Sequence, residues 1–120
     1  MKSWVVGVKV NNDFKAYDWN ELANKKIIQD SFENTPLLLT ISRNERSFYA
    51  FNRNTRNGVL HFTYDSATQI LNDDKTQSTW SINGTCIDGA MKGDRLQTIQ
   101  AYQEFWHSWK QFHPNTGVYK

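Results

Sequence analysis

Over the first half of the chain short apolar runs, in places alternating with polar residues, lie between clusters of turn formers, a pattern that predicts short strands. Trp4 to Val10 is rich in valine and stops at Asn11-Asn12, a pair that tolerates positive φ, before Phe14 to Tyr17 resumes the alternation. A β-hairpin is predicted there. Asp18, followed three residues later by Glu21, supplies an N-cap and its N3 partner ahead of Leu22 and Ala23, so a short helix is predicted over 19–25. Ile27-Ile28 then leads to a turn at Glu33-Asn34-Thr35-Pro36. Leu37 to Ile41 contains no turn former and is too short for an independent helix, which predicts a buried, central strand.

Further along, Ser47 to Phe51 and Val59 to Tyr64 flank a run of turn formers ending in Asn57-Gly58, predicting a second hairpin with a basic tip. The polar turn Asn72-Asp73-Asp74-Lys75-Thr76 separates Gln69 to Leu71 from Gln77 to Ile82, predicting a third strand pair. Gly84, Gly89 and Gly93 break the next stretch into short pieces, and Leu96 to Ile99 is the last short extended run. Tyr102, Phe105, Trp106 and Trp109 are spaced i, i+3, i+4, i+7, which predicts an aromatic-faced helix near 101–112 that Pro114 ends. The sum is an α+β fold: one β-rich domain over 1–120, built of short antiparallel strands and hairpins as a sheet or small barrel, with the late helix laid across it.

Composition changes this picture in two places. Aromatics make up 14% of the 120 residues, so rings replace aliphatics as the main core filler. Cys86 is the only cysteine, which excludes an internal disulfide, a CxxC redox pair and a thiolate zinc cluster within one chain. A formal charge of +2 does not demand nucleic acid or an anionic membrane as partner. Charge is less even locally: from Arg43 to Arg56, four arginines (43, 46, 53 and 56) face only Glu45, interleaved with Phe48, Tyr49 and Phe51. No apolar run approaches the ~20 residues of a membrane-spanning helix, and no signal peptide is legible. A role outside the cytoplasm would require an export signal that has been removed.

Single residues with chemical potential read mostly as structural. Cys86 has no adjacent base in sequence and suits a buried small residue. His107 and His113 are six apart, which does not match the i, i+4 pairing of helical zinc ligands, and His61 lies on a distant strand. No metal or other cofactor is expected. Asp65, Asp73 and Asp74 match no calcium-loop spacing and suit turns. Trp106 and Trp109 read as a core seam, and Asn83-Gly84-Thr85, although a sequon, as a turn.

Four segments, VVGVKVNNDFKAY, IIQDSFENTPLLLT, STWSINGTCIDGAMKGDRL and FWHSWKQFHPNTGVY, resemble in order and spacing the bacterial family catalogued as domain of unknown function 3179. The likeness covers about Trp4 to Tyr119. Members look like extracytoplasmic proteins, so the resemblance implies a periplasmic or extracellular setting. It also implies a histidine just before the paired residues represented by Ile27-Ile28 and a Cys-Pro-x-Cys-like segment just after Leu37 to Thr40. This chain departs at all three positions, which here are Lys25, Ser42 and Glu45. None of these suits a soft metal.

The leading expectation is therefore a non-enzymatic binding or interaction module, a degenerate copy of a thiol- or metal-site domain. Its ligand-binding residues would be Lys25, Ser42, Arg43, Glu45 and Arg46, and its partner a protein or a small anionic ligand. One alternative is an enzyme using Lys25 and Glu45 as acid and base at the same pocket. Another is anion or nucleic-acid binding by the 43–56 hairpin, nucleic acid being the less favoured partner.

Overall fold

The computed structural model describes residues 4–105 and 117–118. Strands β1 (Trp4–Val10) and β2 (Asp13–Asp18) form the first hairpin, turning at Asn11 with φ 57°. Helix α1 (Trp19–Lys25) follows at once, with the Asp18 side chain accepting from the Asn20 amide. Strands β3 (Ile27–Phe32) and β4 (Thr35–Ile41) pair through a turn in which Glu33 and Asn34 both take positive φ. Next comes β5 (Phe48–Asn52), antiparallel to β4, and much later β12 (Gln97–Phe105), which fills the place between β5 and β1.

With β13 (Gly117–Val118) beside β2, these strands make one seven-stranded sheet in the order β13-β2-β1-β12-β5-β4-β3. The sheet curls until β2 and β3 approach each other. Lys15 Nζ lies 2.7 Å and Tyr17 Oη 2.9 Å from Asp30 Oδ2. Among the described residues this seam is bridged by side chains and not by a strand ladder. Burial pushes the Asp30 carboxyl up, but the Lys15 ammonium, the Ser31 amide and the Tyr17 hydroxyl outweigh it and hold it below the usual value.

Period-two alternation sends Val6, Val8, Val10, Leu37, Leu39, Ile41 and Ala50 into the curl, where Tyr17 and Ile28 join them. Helix α1 closes one end of it. Leu22 is fully buried in that core, and Trp19 meets Phe48 edge to face at 5.4 Å. A second layer covers the outer face of β4 and β5. It comprises β8 (Phe62–Asp65), β9 (Ile70–Asp73), β10 (Thr79–Ser81) and β11 (Cys86–Asp88), in the order β11-β10-β9-β8. Leu38 and Phe51 meet Leu60, Phe62, Leu71, Trp80, Met91 and Leu96 between the layers. Strand β4 is thus buried on both faces, which is why its sequence is a continuous apolar run.

Two expectations change. Strand β5 does not pair with Val59 to Tyr64: it pairs with β4 and β12, while a miniature hairpin of β6 (Asn54–Thr55) and β7 (Gly58–Val59) takes up the turn formers. Its turn uses Gly58 at φ 94°. The helix predicted near 101–112 does not begin at 101, because Ala101 to Phe105 continue β12 opposite Trp4 to Val8. An empty ladder position between β1 and β5 supplies backbone partners that override the local aromatic spacing. The remainder of that helix lies outside the described residues. No described helix is long and apolar enough to cross a membrane.

Candidate functional site: the α1 and β4–β5 end

The β4–β5 connection, residues 42–47, emerges at the end of the curl that α1 closes. It is short and holds itself. The Ser42 amide donates to Ser47 O (2.8 Å), the Ser47 amide to Ser42 Oγ (3.1 Å) and the Glu45 amide to Ser42 O (2.9 Å). Asn44 Oδ1 accepts from Ser42 Oγ (2.7 Å) and the Arg46 amide (3.1 Å), and Glu45 turns the chain at φ 60°. Local side-chain acceptors of this kind replace the ladder that the strands have left.

The loop is anchored to the second layer by one arginine. Arg43 donates its amide to Gln69 Oε1 (3.1 Å) and its Nη2 to Ser66 O. Between these groups lies a broadly open cleft of about 250 Å³, lined by Ser42, Arg43, Asn44 and Gln69. Arg43 is its one charged lining residue, beside three residues with neutral polar side chains.

Lys25 ends the last turn of α1, where its Nζ lies 2.8 Å from Glu21 Oε1, an i, i+4 pair. The Lys26 carbonyl accepts from the Ile41 amide (3.1 Å), which brings the end of the helix beside the end of β4. Lys25, Ser42, Arg43, Glu45 and Arg46 therefore share one end of the sheet. Only Ser42 and Arg43 of the five line the cleft, and the described ion pair of Lys25 is with Glu21, not Glu45. Gln69, read in sequence as the start of a strand, lies instead in the turn before β9 and was missed, since a polar side chain carries no local signal of what it will face.

The arginines of 43–56 do not form one basic surface. Arg53 is buried, and its guanidinium donates to the carbonyls of Leu37 (2.7 Å), Leu60 (3.0 Å) and Asp30 (3.0 Å). Burial lowers its pKa, opposed by Asp30 and Asp74. It is a structural tie between β3, β4 and the segment leading to β8. Arg56 pairs with Asp94, Nε to Oδ2 at 2.7 Å.

The other candidates resolve into structure. Asp73 is buried and accepts from the Thr76, Gln77 and Ser78 amides, the Thr76 hydroxyl and the Trp80 indole. Burial pushes its carboxyl up, yet the indole, Thr76 and Ser78 together hold it below the usual value. Cys86 is buried with Sγ 3.3 Å from Asp88 O, and burial pushes its thiol up. His61 Nδ1 lies 3.7 Å from Asp74 Oδ2 at the surface. Asn83 accepts from the Ser81 hydroxyl and the Thr85 amide within a turn. Among the described residues no three His, Cys, Asp or Glu side chains are grouped so as to hold a metal ion. His107, His113, Trp106 and Trp109 lie outside the described residues.

Fold and site together define a β-rich domain: a curled antiparallel sheet closed by one helix, with an open cleft at that end. A family model described as protein of unknown function (DUF3179) matches residues 1–116, and the chain belongs to that family. No curated protein matches the chain, and neither does any solved structure.

Proposed function

We propose that this chain is a non-catalytic binding module and that it takes a small anionic ligand at the cleft beside the β4–β5 loop. The observation that carries this reading is the cleft of about 250 Å³ with Arg43 in its wall and the self-bonded loop 42–47 as its frame. A frame already held by its own hydrogen bonds loses little entropy when a ligand arrives. The positions where the resemblance implies a histidine and two thiols, here Lys25, Ser42 and Glu45, all belong to this end, and they offer an ammonium, a hydroxyl and a carboxylate in place of soft donors. The module is read as a degenerate copy of a thiol- or metal-site domain, working in a bacterial periplasmic or extracellular setting. Acid–base chemistry by Lys25 and Glu45 has less support, because Glu21 is the carboxylate beside the Lys25 ammonium.

The test is titration of ¹⁵N-labelled protein with inorganic phosphate at low and high salt. Saturable shifts of the Ser42, Arg43, Asn44 and Gln69 amides are expected, weakened several-fold in Arg43→Gln and by added salt. Linear, non-saturating shifts, or equal affinity in Arg43→Gln, would remove the reading. Tight one-to-one binding of copper or zinc through Ser42 and Glu45 would refute the loss of the metal site.

A further inference from the structure

A second cleft, also of about 250 Å³, lies beyond the other end of β5, between the β6–β7 hairpin and the segment 91–97. We infer that it binds a small monocarboxylate attached to a flat or short apolar body.

Both walls are held before any ligand arrives. The 89–96 segment is fastened by Cys86 N to Asp94 O (2.8 Å), Gly93 N to Cys86 O (3.0 Å), Asp94 N to Met91 O (2.9 Å) and Leu96 N to Gly84 O (2.9 Å). The hairpin is fastened by the Thr55 hydroxyl on Gly58 O (2.9 Å), and the Arg56–Asp94 ion pair ties wall to wall. The cleft reaches down to Trp80, Met91 and Leu96, three side chains of the inter-layer core, so its floor is apolar.

The rim is cationic with one acid. Arg56 engages Asp94 through Nε alone, and Arg95 sets its Nε 3.4 Å from the Thr85 hydroxyl. Among the described residues the terminal nitrogens of neither arginine donate to a protein acceptor. Paired guanidinium N–H groups match the two oxygens of a carboxylate in a planar fork. Two arginines against Asp94 leave a single positive charge, which suits a monoanion, while the Asp94 carboxylate repels a dianion such as a phosphate ester. A volume just under the roughly 300–1,000 Å³ of sites for drug-sized ligands limits the body to one ring or a short chain. An apolar floor with a few convergent polar groups is the usual composition of a small-molecule site.

Benzoate serves as the probe, with benzyl alcohol as its neutral counterpart and phenyl phosphate as the dianion. In ¹⁵N-labelled protein, benzoate is expected to give saturable shifts of the Trp80 indole and of the amides of Thr55, Asp94 and Gln97, leaving Ser42 and Gln69 unmoved. Loss of a charge-assisted fork should weaken benzoate at least about tenfold in Arg95→Gln and for benzyl alcohol on the wild type. Arg95→Lys, which keeps the charge but not the fork, should fall between. Arg95 is exposed, so an unchanged thermal midpoint in both variants is expected and separates lost binding from lost fold. Absence of saturation, undiminished affinity in Arg95→Gln, or equal affinity for benzyl alcohol would overturn the inference, and tighter binding of phenyl phosphate would overturn its choice of a monoanion. Arg43→Gln should leave benzoate binding intact, so failure here is distinguishable from failure at the β4–β5 cleft.

Discussion

Replacing Asp73 with Asn tests the buried carboxylate that organises the second layer. Oδ1 accepts from the Thr76 and Gln77 amides, while Oδ2 accepts from the Ser78 amide (3.3 Å) and the Trp80 indole (2.9 Å). An asparagine can keep only one of the two oxygens. Whichever way its amide is turned, its NH₂ faces two N–H donors, and two hydrogen bonds to a charged acceptor are lost. At 1–3 kcal/mol for each buried donor left unmet, the cost is about 3 kcal/mol, or roughly 10 °C in Tm for a domain of this size.

The sign of the pH dependence follows from the same geometry. The folded-state pKa of Asp73 lies below its ordinary value, so the stabilisation is complete above the unfolded-state value of about 3.9 and is lost as pH falls through the folded value. Asp30 shifts the same way but is present in both proteins, so the difference between them isolates Asp73. Thermal and urea unfolding followed by circular dichroism from pH 7 down to pH 2.5 should show a gap that is largest and constant near neutrality and narrows towards the acid end. A Tm within about 2 °C of the wild type at pH 7, or a gap that does not change with pH, would refute the network as the source of stability.

Gly84→Ala should be strongly destabilising, by about 2–4 kcal/mol in urea unfolding, because the position has φ 86° and a Cβ there would sit 2.6 Å from Phe51 Cε1. An unaffected midpoint would contradict the close approach of the 83–85 turn to β5. Asp18→Ala removes the N-cap of α1 and should cost about 1 kcal/mol, with Asp18→Asn recovering most of it. Equal losses in the two variants would point to charge, not capping. Cys86 should react with iodoacetamide only as fast as the second layer opens, and at the rate of a free thiol in urea, since it is buried and its thiol is pushed up. Rapid alkylation of the native protein would place it in an open site.

Much of the local structure was legible because its causes span only a few residues. Asn11-Asn12 marks the first turn, Asp18 with Glu21 marks α1, and the apolar run from Leu37 to Ile41 announces a strand covered on both faces. The polar turn at 72–76 likewise announces the β9–β10 pair. The resemblance identified the family over nearly the whole chain. Ser42 could be singled out only through it, whereas Arg43 stood out through the run of arginines from 43 to 56.

What the chain could not declare locally is which distant segments meet. The ladder of β12 with β1 joins residues from 91 to 101 positions apart, and that pairing makes Ala101 to Phe105 a strand although the aromatics carry a helical spacing. Arg53 looks in sequence like its exposed neighbours in a basic turn, yet the packing of β3, β4 and the approach to β8 encloses it and supplies three carbonyls to its guanidinium. Both clefts arise where segments far apart in sequence come together, 42–44 with Gln69 and 54–56 with 91–97. Periodicity and turn chemistry act over a few residues, so they fix strands, turns and caps. Ladder partners, buried charges and concavities depend on long-range packing, and only the folded chain decides them.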